Sequence, residues 1–154
     1  MSGIVGWGRR SVAVVLIATV ASVTAVSASA TATSGAKVKT RSTSLGRIVV
    51  NPGGRTLYLF EKDKRGASAC YGQCASYWPP LLTRGKPVAG AGVKAKLLGV
   101  TMRKNGTRQV TYAGHPLYRY TFDTKAGQTA GEGSTLFGGS WDAVAPSGKG
   151  IDSN

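Results

Sequence analysis

One short motif occurs twice, sixty residues apart, and it constrains the fold of this chain more than any other feature. Its copies are YLFEKD at residues 58–63 and YRYTFD at residues 118–123, and the same offset aligns Val50 with Val110. Each copy combines aromatic residues that favour strands with an aspartate that precedes a glycine-containing turn. The repetition predicts two related β-hairpin units that pair about a pseudo-two-fold axis and bury their aromatic faces together.

Side-chain alternation gives each copy two different faces. Successive side chains of a strand point to opposite sides, so Tyr58 and Phe60 share one face while Leu57 and Leu59 share the other. We expect the tyrosine-bearing faces to form the core, and a platform that stacks sugars or an apolar ligand is the alternative. The residues of this predicted core or binding motif are Tyr58, Phe60, Asp63, Trp78, Tyr118, Tyr120, Asp123 and Trp141.

The two motif aspartates, Asp63 and Asp123, are the only carboxylates in matched sequence contexts. A glycosidase-like acid and base pair would need one buried carboxyl with a raised pKa. Each aspartate precedes a turn, so we expect it to accept backbone N–H groups there. The aspartates are also candidate partners for the tyrosine hydroxyls, which need hydrogen bonds when they are buried.

The composition favours short strands and tight turns, because glycine is abundant (22 residues) while charged residues are only 17%. We predict a mainly β fold, a small barrel or sandwich made of two related β-hairpin repeats, with a short helical turn at the cysteines. A single β domain is predicted at residues 45–146, with repeats at 45–82 and 97–146. A flexible basic linker is predicted at 31–44 and a disordered tail at 147–154.

Two turn signals mark where the hairpins reverse. Pro52-Gly53-Gly54 predicts a turn, because proline fixes φ and glycine accepts positive φ. Asn105-Gly106 is the strongest hairpin signal in the chain. A last strand is predicted between Leu136 and Ala145.

The N-terminal residues have the pattern of a secretory signal peptide. Arg9 and Arg10 precede an uncharged run at residues 11–26, and Ala28-Ser29-Ala30 supplies the small residues of a cleavage site. We predict cleavage near Ala30 and a secreted or extracytoplasmic protein. An uncleaved anchor is the alternative, although sixteen residues fall short of the roughly 20 that a spanning helix needs.

The only two cysteines, Cys70 and Cys74, are predicted to form a disulfide. An exported protein enters an oxidising compartment, which favours disulfides over free thiols. Positions i and i+4 of a helix lie roughly 6 Å apart at Cα, which a disulfide can bridge. Such a short loop would contribute only roughly 2 kcal/mol, so the bridge would fix a local turn and orient Trp78. A redox-active or copper-binding pair is the alternative, with His115 or Met102 as further ligands.

Otherwise the sequence offers little for catalysis, and we expect a non-catalytic protein without a cofactor. His115 is the only histidine, so any Ser-His-Asp or Cys-His site would have to use it. No motif around a serine supports such a site. Its repeat partner is Arg55, which favours an exposed turn position.

The charge balance predicts affinity for polyanions. The chain carries 20 Lys and Arg against 6 Asp and Glu, a net charge of +14. Three small clusters stand out, at residues 62–65, Lys94-Lys96 and Arg103-Lys104-Arg108. Outside the cell, the expected partners are anionic cell-wall polymers or lipid headgroups. No arginine-rich arm or RNA-binding motif is present.

The motif residues also resemble a known family. Tyr-x-(Phe/Tyr)-x-x-Asp occurs twice, and the segments CYGQCASYWPPL, QVTYAGHPLY and FGGSWDAVAPSG are similar to a bacterial secreted and lipoprotein repeat family of unknown function. The resemblance implies an exported cell-envelope protein and brings no established activity. Many members are lipoproteins, but no cysteine precedes Cys70 here to carry a lipid.

Overall fold

The structure is a computed structural model that describes residues 2–4, 6, 8 and 34–151. The chain divides into two compact units, residues 1–30 and 31–154. The predicted signal peptide at 1–30 and its cleavage site therefore lie almost entirely outside the described residues. Within the described residues, no helix is long and apolar enough to cross a membrane.

The second unit is mainly β, as predicted. Its strands are β1 (Lys37–Thr43), β2 (Gly46–Val50), β3 (Tyr58–Phe60), β4 (Val88–Ala89), β5 (Leu98–Met102), β6 (Arg108–Tyr112), β7 (His115–Pro116) and β8 (Trp141–Ala143). One short helix, α1 (Gln73–Tyr77), and two 3-10 turns, Ala95–Leu97 and Leu136–Gly138, complete the elements. The strands form three small sheets, in the orders β2-β1-β4, β3-β8 and β5-β6-β7.

Each repeat begins with an antiparallel hairpin. In the first, β1 pairs with β2 so that Arg41 faces Ile48; in the second, β5 pairs with β6 so that Val100 faces Val110. The predicted turn at Asn105-Gly106 closes the second hairpin, and Gly106 adopts φ +79° there. Antiparallel hairpins of this kind fold locally, so the two hairpins supply the frame on which the motif segments pair.

The prediction of a flexible linker is wrong for residues 37–43, which form β1. This strand lies between β2 and β4, and the side chain of Val38 is fully buried. The backbone N–H of Thr40 also donates to the carbonyl of Ala91 over 2.9 Å. The sequence of β1 has one apolar side chain, Val38, among polar and cationic residues, so it shows no clear alternation of polar and apolar positions. The strand forms because it lies inside a sheet, where its backbone makes hydrogen bonds on both sides.

The prediction of a disordered tail is wrong as far as Ile151. The backbone N–H of Ala145 donates to Lys149 over 2.8 Å, and that of Ile151 donates to Ala143 over 2.8 Å. The hydroxyl of Tyr112 donates to the carbonyl of Pro146, and Ile151 packs against the core. Residues 152–154 lie outside the described part of the chain.

The two repeats exchange their tryptophan-bearing segments. Strand β3 of the first repeat pairs with β8 of the second, so that Phe60 faces Trp141. In the matching position of the second repeat, Tyr118 bridges to Pro80 and Arg119 donates its N–H to the carbonyl of Pro79 over 2.9 Å. Each repeat therefore completes the sheet of the other, and neither contains its own partner strand.

Two buried clusters lie on opposite sides of these strands. The cluster that contains Tyr58 and Phe60 is mostly aromatic, and the one that contains Leu57 and Leu59 is mostly aliphatic, as the alternation predicted. The aromatic cluster consists of Ile48, Val50, Tyr58, Phe60, Cys70, Cys74, Trp78, Tyr118, Trp141 and Ala143. The aliphatic cluster consists of Val38, Val49, Leu57, Leu59, Val110, Tyr112, Leu117 and Val144.

The predicted disulfide is present, with 5.2 Å between the Cα atoms of Cys70 and Cys74. The helix is shorter than the predicted segment, because it begins at Gln73 and leaves Cys70 in the preceding loop. Both cysteines and Trp78 belong to the aromatic cluster. The bridge therefore holds α1 against the core at the point where the chain enters the Trp78 segment.

Candidate functional site

Four aromatic rings of the motif stack in one column, which we call the aromatic column. The centroid distances are 4.0 Å from Phe60 to Trp141, 3.9 Å from Trp141 to Trp78 and 4.3 Å from Trp78 to Tyr120. The rings alternate between the first and second repeats along the column. Three of them are buried and Tyr120 is half-buried. Stacked aromatic pairs stabilise a core by about 0.5–1.5 kcal/mol each beyond the area that they bury.

The motif tyrosines flank the column at its centre. Tyr58 meets Trp78 edge-on at 5.3 Å, and Tyr118 meets Trp141 edge-on at 5.1 Å. Both tyrosines are fully buried. Six of the eight residues predicted as a core or binding motif are thus brought together in one apolar centre.

The remaining two, the motif aspartates, accept hydrogen bonds across the repeats. The Tyr58 hydroxyl donates to Asp123 Oδ2 over 2.6 Å, and the Tyr118 hydroxyl donates to Asp63 Oδ2 over 2.8 Å. Each motif aspartate therefore serves the tyrosine of the other repeat. This exchange gives a physical reason for the Tyr-x-(Phe/Tyr)-x-x-Asp spacing, since the strand positions the tyrosine and the following turn positions the carboxylate.

The second carboxylate oxygen of each aspartate fixes the turn that follows it. Asp63 Oδ1 accepts the N–H of Ala69 over 2.7 Å, and Asp123 Oδ1 accepts the N–H of Ala130 over 2.9 Å. The predicted turn role of both aspartates is confirmed. Each carboxylate thus joins its own turn to the opposite repeat.

Burial shifts the titration of all four groups. It raises the pKa of Tyr58 and of Tyr118 well above the usual value, and the hydrogen-bonded aspartates add to the effect. Burial also raises the pKa of Asp63 and of Asp123, although their N–H and hydroxyl donors oppose the shift. The hydroxyls therefore remain protonated donors over the ordinary pH range.

A buried arginine beside Asp63 is a feature that the sequence did not reveal. Arg103 belongs to a predicted surface cluster, but only 4% of it is exposed. Its Nη1 donates to Ser68 Oγ over 2.8 Å and to Gln109 Oε1 over 2.7 Å, and its Nη2 donates to the carbonyl of Cys70 over 2.7 Å. The guanidinium ties the second hairpin to the cysteine loop. The other members of that cluster, Lys104 and Arg108, are exposed cations, so the sequence gave no signal that Arg103 is buried.

Gly131 is a second residue that the sequence reasoning missed. Its N–H donates to the Tyr58 hydroxyl over 3.2 Å. A Cβ atom at this position would lie 2.7 Å from Trp78 Cη2 and 3.0 Å from Tyr58 Cζ. Only glycine lets the backbone pack so closely on the aromatic column. Elsewhere on the same indole, Nε1 of Trp78 is buried without a hydrogen-bond partner among the described residues.

The residues of the alternative metal site do not offer free thiolates. Cys70 and Cys74 are joined in the disulfide, Met102 is 64% exposed, and His115 is half-buried in β7. His115 pairs with Tyr112 and is therefore part of a short strand. In the part of the chain that the structure describes, no group of three or more His, Cys, Asp or Glu residues could hold a metal ion.

The exposed charge is almost entirely positive. Fifteen of the eighteen Lys and Arg in residues 34–151 are exposed, whereas Glu61 is the only exposed carboxylate among the five in that range. The exposed cations are Lys37, Arg41, Arg47, Lys62, Lys64, Arg65, Arg84, Lys86, Lys94, Lys96, Lys104, Arg108, Arg119, Lys125 and Lys149. The fold uses Asp63 and Asp123 internally and so leaves its cations on the surface.

Two depressions open on this surface. One of about 580 Å³ lies between the 82–84 loop and the tip of the second hairpin, and no motif residue lines it. The other, of about 180 Å³, adjoins the end of the aromatic column and is lined by Arg55, Pro79, Arg119, Tyr120, Thr121 and Asp123. We call the smaller one the Arg55–Arg119 cleft.

These observations define a duplicated, mainly β, disulfide-containing domain whose repeated motif forms the core. The chain belongs to a family described as a secreted repeat of unknown function, whose model matches residues 39–82 and 99–145, more than half of the chain. The resemblance seen in the sequence is therefore confirmed, and so is the assignment to an exported class. No curated protein and no solved structure matches the chain.

Proposed function

We propose that this protein is a non-catalytic module of the cell envelope, exported by a signal peptide that is cleaved near Ala30. Its cationic surface holds it on anionic polymers of the cell wall. The observation that carries the proposal is the distribution of charge, with fifteen exposed cations against one exposed carboxylate in residues 34–151. A surface of one sign attracts polyanions and raises their local concentration.

The position of the motif supports a non-catalytic role. Reactive carboxylates and hydroxyls must reach a substrate, and Tyr58, Tyr118 and Asp123 are buried. Their polar atoms are already used in hydrogen bonds between the repeats. The hydrogen-bonded tyrosines and aspartates of the motif therefore serve stability, and the exposed cations are the groups available for recognition.

Cosedimentation of the mature protein with purified cell wall tests the proposal. Retention should fall steeply as NaCl is raised, because salt screens exposed charges. It should also fall when the anionic polymers are extracted from the wall beforehand. Salt-independent retention, or equal retention on extracted wall, would overturn the proposal.

A charge-reversal variant provides the matched comparison. Lys94 and Lys96 are exposed, so Lys94→Glu with Lys96→Glu should leave the fold intact and lower the salt concentration at half-retention. The variant Lys94→Arg with Lys96→Arg keeps the charge and should behave like the natural protein. Mass measurement of the secreted protein would show whether the chain begins after Ala30.

A further inference from the structure

We propose that the Arg55–Arg119 cleft binds a single oxyanionic group, a phosphate or a carboxylate. This inference rests on the proposed function, because a pendant group of an anionic wall polymer is the natural source of such a ligand. The cleft would add one specific binding site to a surface whose other cations attract polyanions by charge alone.

The cleft exists where the two repeats differ. In the first repeat, β3 is covered by β8, and Leu59 and Phe60 are buried. In the second repeat, Pro79-Pro80 takes the place of the β8 segment. Proline has no N–H to donate to the hydrogen-bond ladder between strands. Arg119, which corresponds to Leu59 in the repeat, is exposed.

The difference at position 119 changes the side chain from apolar to cationic. Positions 119 and 120 of the second repeat correspond to Leu59 and Phe60, which the first repeat uses for its core. Tyr120 keeps a place in the core, because it stacks on Trp78 at the half-buried end of the aromatic column, whereas Arg119 belongs to neither cluster. The pairing of the strands is preserved, so the departure from the repeat affects the surface and not the architecture.

Arg55 is held in place before any ligand arrives. Its Nη1 donates to the backbone carbonyl of Asp123, and its side chain is half-buried. A planar guanidinium presents several donors in a fixed geometry that matches carboxylate and phosphate oxygens. A fixed Arg55 and an exposed Arg119 can therefore approach an oxyanion from two sides with little loss of conformational freedom.

Asp123 also lines the cleft, and its negative charge opposes the binding of an anion. Its two oxygens accept the Tyr58 hydroxyl and the Ala130 N–H, which already compensate part of its charge. Two guanidinium charges outweigh the single carboxylate, so the cleft has a net positive charge. The ring of Tyr120 supplies an apolar wall for the carbon atoms attached to the bound group.

The size of the cleft limits what it can hold. Pockets for drug-sized ligands measure about 300–1,000 Å³, whereas this cleft measures about 180 Å³. It fits one charged group with a few neighbouring atoms. The larger depression is lined by Arg84 and Arg108, both of which are exposed, so it has no arginine held by burial. Arg108 therefore provides a matched control.

NMR titration of the mature protein tests the site, with inorganic phosphate and acetate as probes at constant ionic strength. We expect saturable shifts of the backbone amides of residues 119–121. Arg119→Gln should weaken binding by about tenfold, because it removes a charge-assisted hydrogen bond, and Arg108→Gln should leave it unchanged. Saturation by phosphate alone identifies phosphate as the ligand group, and saturation by acetate alone identifies carboxylate.

Two outcomes would overturn the site: shifts spread over the cationic surface without saturation, and equal effects of Arg119→Gln and Arg108→Gln. Cosedimentation with cell wall separates this failure from failure of the proposed function. If the natural protein is released from the wall by salt while the two variants behave alike, wall binding stands and the site is wrong. If the probes saturate the cleft but the wall retains no protein, the site stands and the proposed function is wrong.

Discussion

Tyr58 and Tyr118 lie directly opposite each other, and the backbone N–H of each donates to the carbonyl oxygen of the other over 2.9 Å. This reciprocal pair marks the pseudo-two-fold axis of the domain. The other exchanges between the repeats, those of the tryptophan segments and of the tyrosine-to-aspartate hydrogen bonds, are arranged around this pair. The two halves are therefore interleaved in one domain, and neither motif strand is paired within its own repeat.

We predict that neither half folds alone. A fragment of residues 31–93 lacks β8, and a fragment of residues 94–154 lacks the Trp78 segment, so each has an unpaired motif strand. Circular dichroism should show no cooperative thermal transition for either fragment, and an equimolar mixture should recover one. A cooperative transition in a single fragment would contradict the exchanged topology.

Removing one exchanged hydrogen bond should destabilise the whole domain. Tyr58→Phe leaves the buried Asp123 carboxylate without one of its donors, and hydrogen bonds to charged groups contribute about 1.5–3 kcal/mol. Urea denaturation should show a loss of this size. Tyr77→Phe, at a ring that is 36% exposed, is the control and should change the free energy of unfolding by less than about 0.5 kcal/mol.

Stability should fall in alkaline solution through the motif tyrosines. Burial raises the pKa of Tyr58 and Tyr118 in the folded state, so the folded state keeps protons that the unfolded state loses. The free energy that these two tyrosines contribute to folding is fully present below about pH 10, the pKa of tyrosine in the unfolded chain, and is lost as pH rises above that value. The urea midpoint should drop between about pH 9 and 12, and Tyr58→Phe should flatten the drop. An equal slope in the variant would argue against the assignment.

Gly131→Ala should disrupt the aromatic column. The added methyl would lie 2.7 Å from Trp78 Cη2, inside the normal contact distance. Overpacking of a core typically costs about 1–3 kcal/mol, which thermal unfolding would detect. Gly53→Ala is the matched control, because the new Cβ would only approach Asn51 Oδ1 at 3.4 Å. Equal melting temperatures for the two variants would show that Gly131 is not required for packing.

The disulfide should contribute modestly. Replacing both Cys70 and Cys74 by alanine removes a closure of only four residues in sequence separation, which the loop-entropy relation values at about 2 kcal/mol. Urea denaturation should show a folded variant with a cooperative transition and a reduced midpoint. Complete loss of folding would mean that the bridge holds more than the Trp78 segment.

Much of the core could be predicted from the sequence because the repeat shows which residues of the two halves correspond to each other. The offset of sixty residues pairs Tyr58 with Tyr118, and alternation then assigns their faces. The exchange of segments could not be predicted, since two similar copies of a motif do not specify whether Trp78 packs on Phe60 or on Tyr120. Only the three-dimensional pairing decides between them.

Other features could not be predicted because the residues that stabilise them are distant in sequence. Strand β1 is stabilised by neighbours on both sides, and nothing in the sequence near Val38 indicates β4. Arg103 is buried because Ser68, Gln109 and the Cys70 carbonyl surround its guanidinium. Two of these partners lie more than thirty residues away in sequence, whereas neighbouring cations suggested an exposed cluster.

The pairing of β3 with β8 also sets when the core can close. The ribosome makes Tyr58–Phe60 long before Trp141–Ala143, so the first motif strand exists for a time without its partner. The aromatic column needs rings from both repeats, and it can be completed only when Trp141 has been added to the chain. Closure of the core is therefore a late event in the life of the new polypeptide.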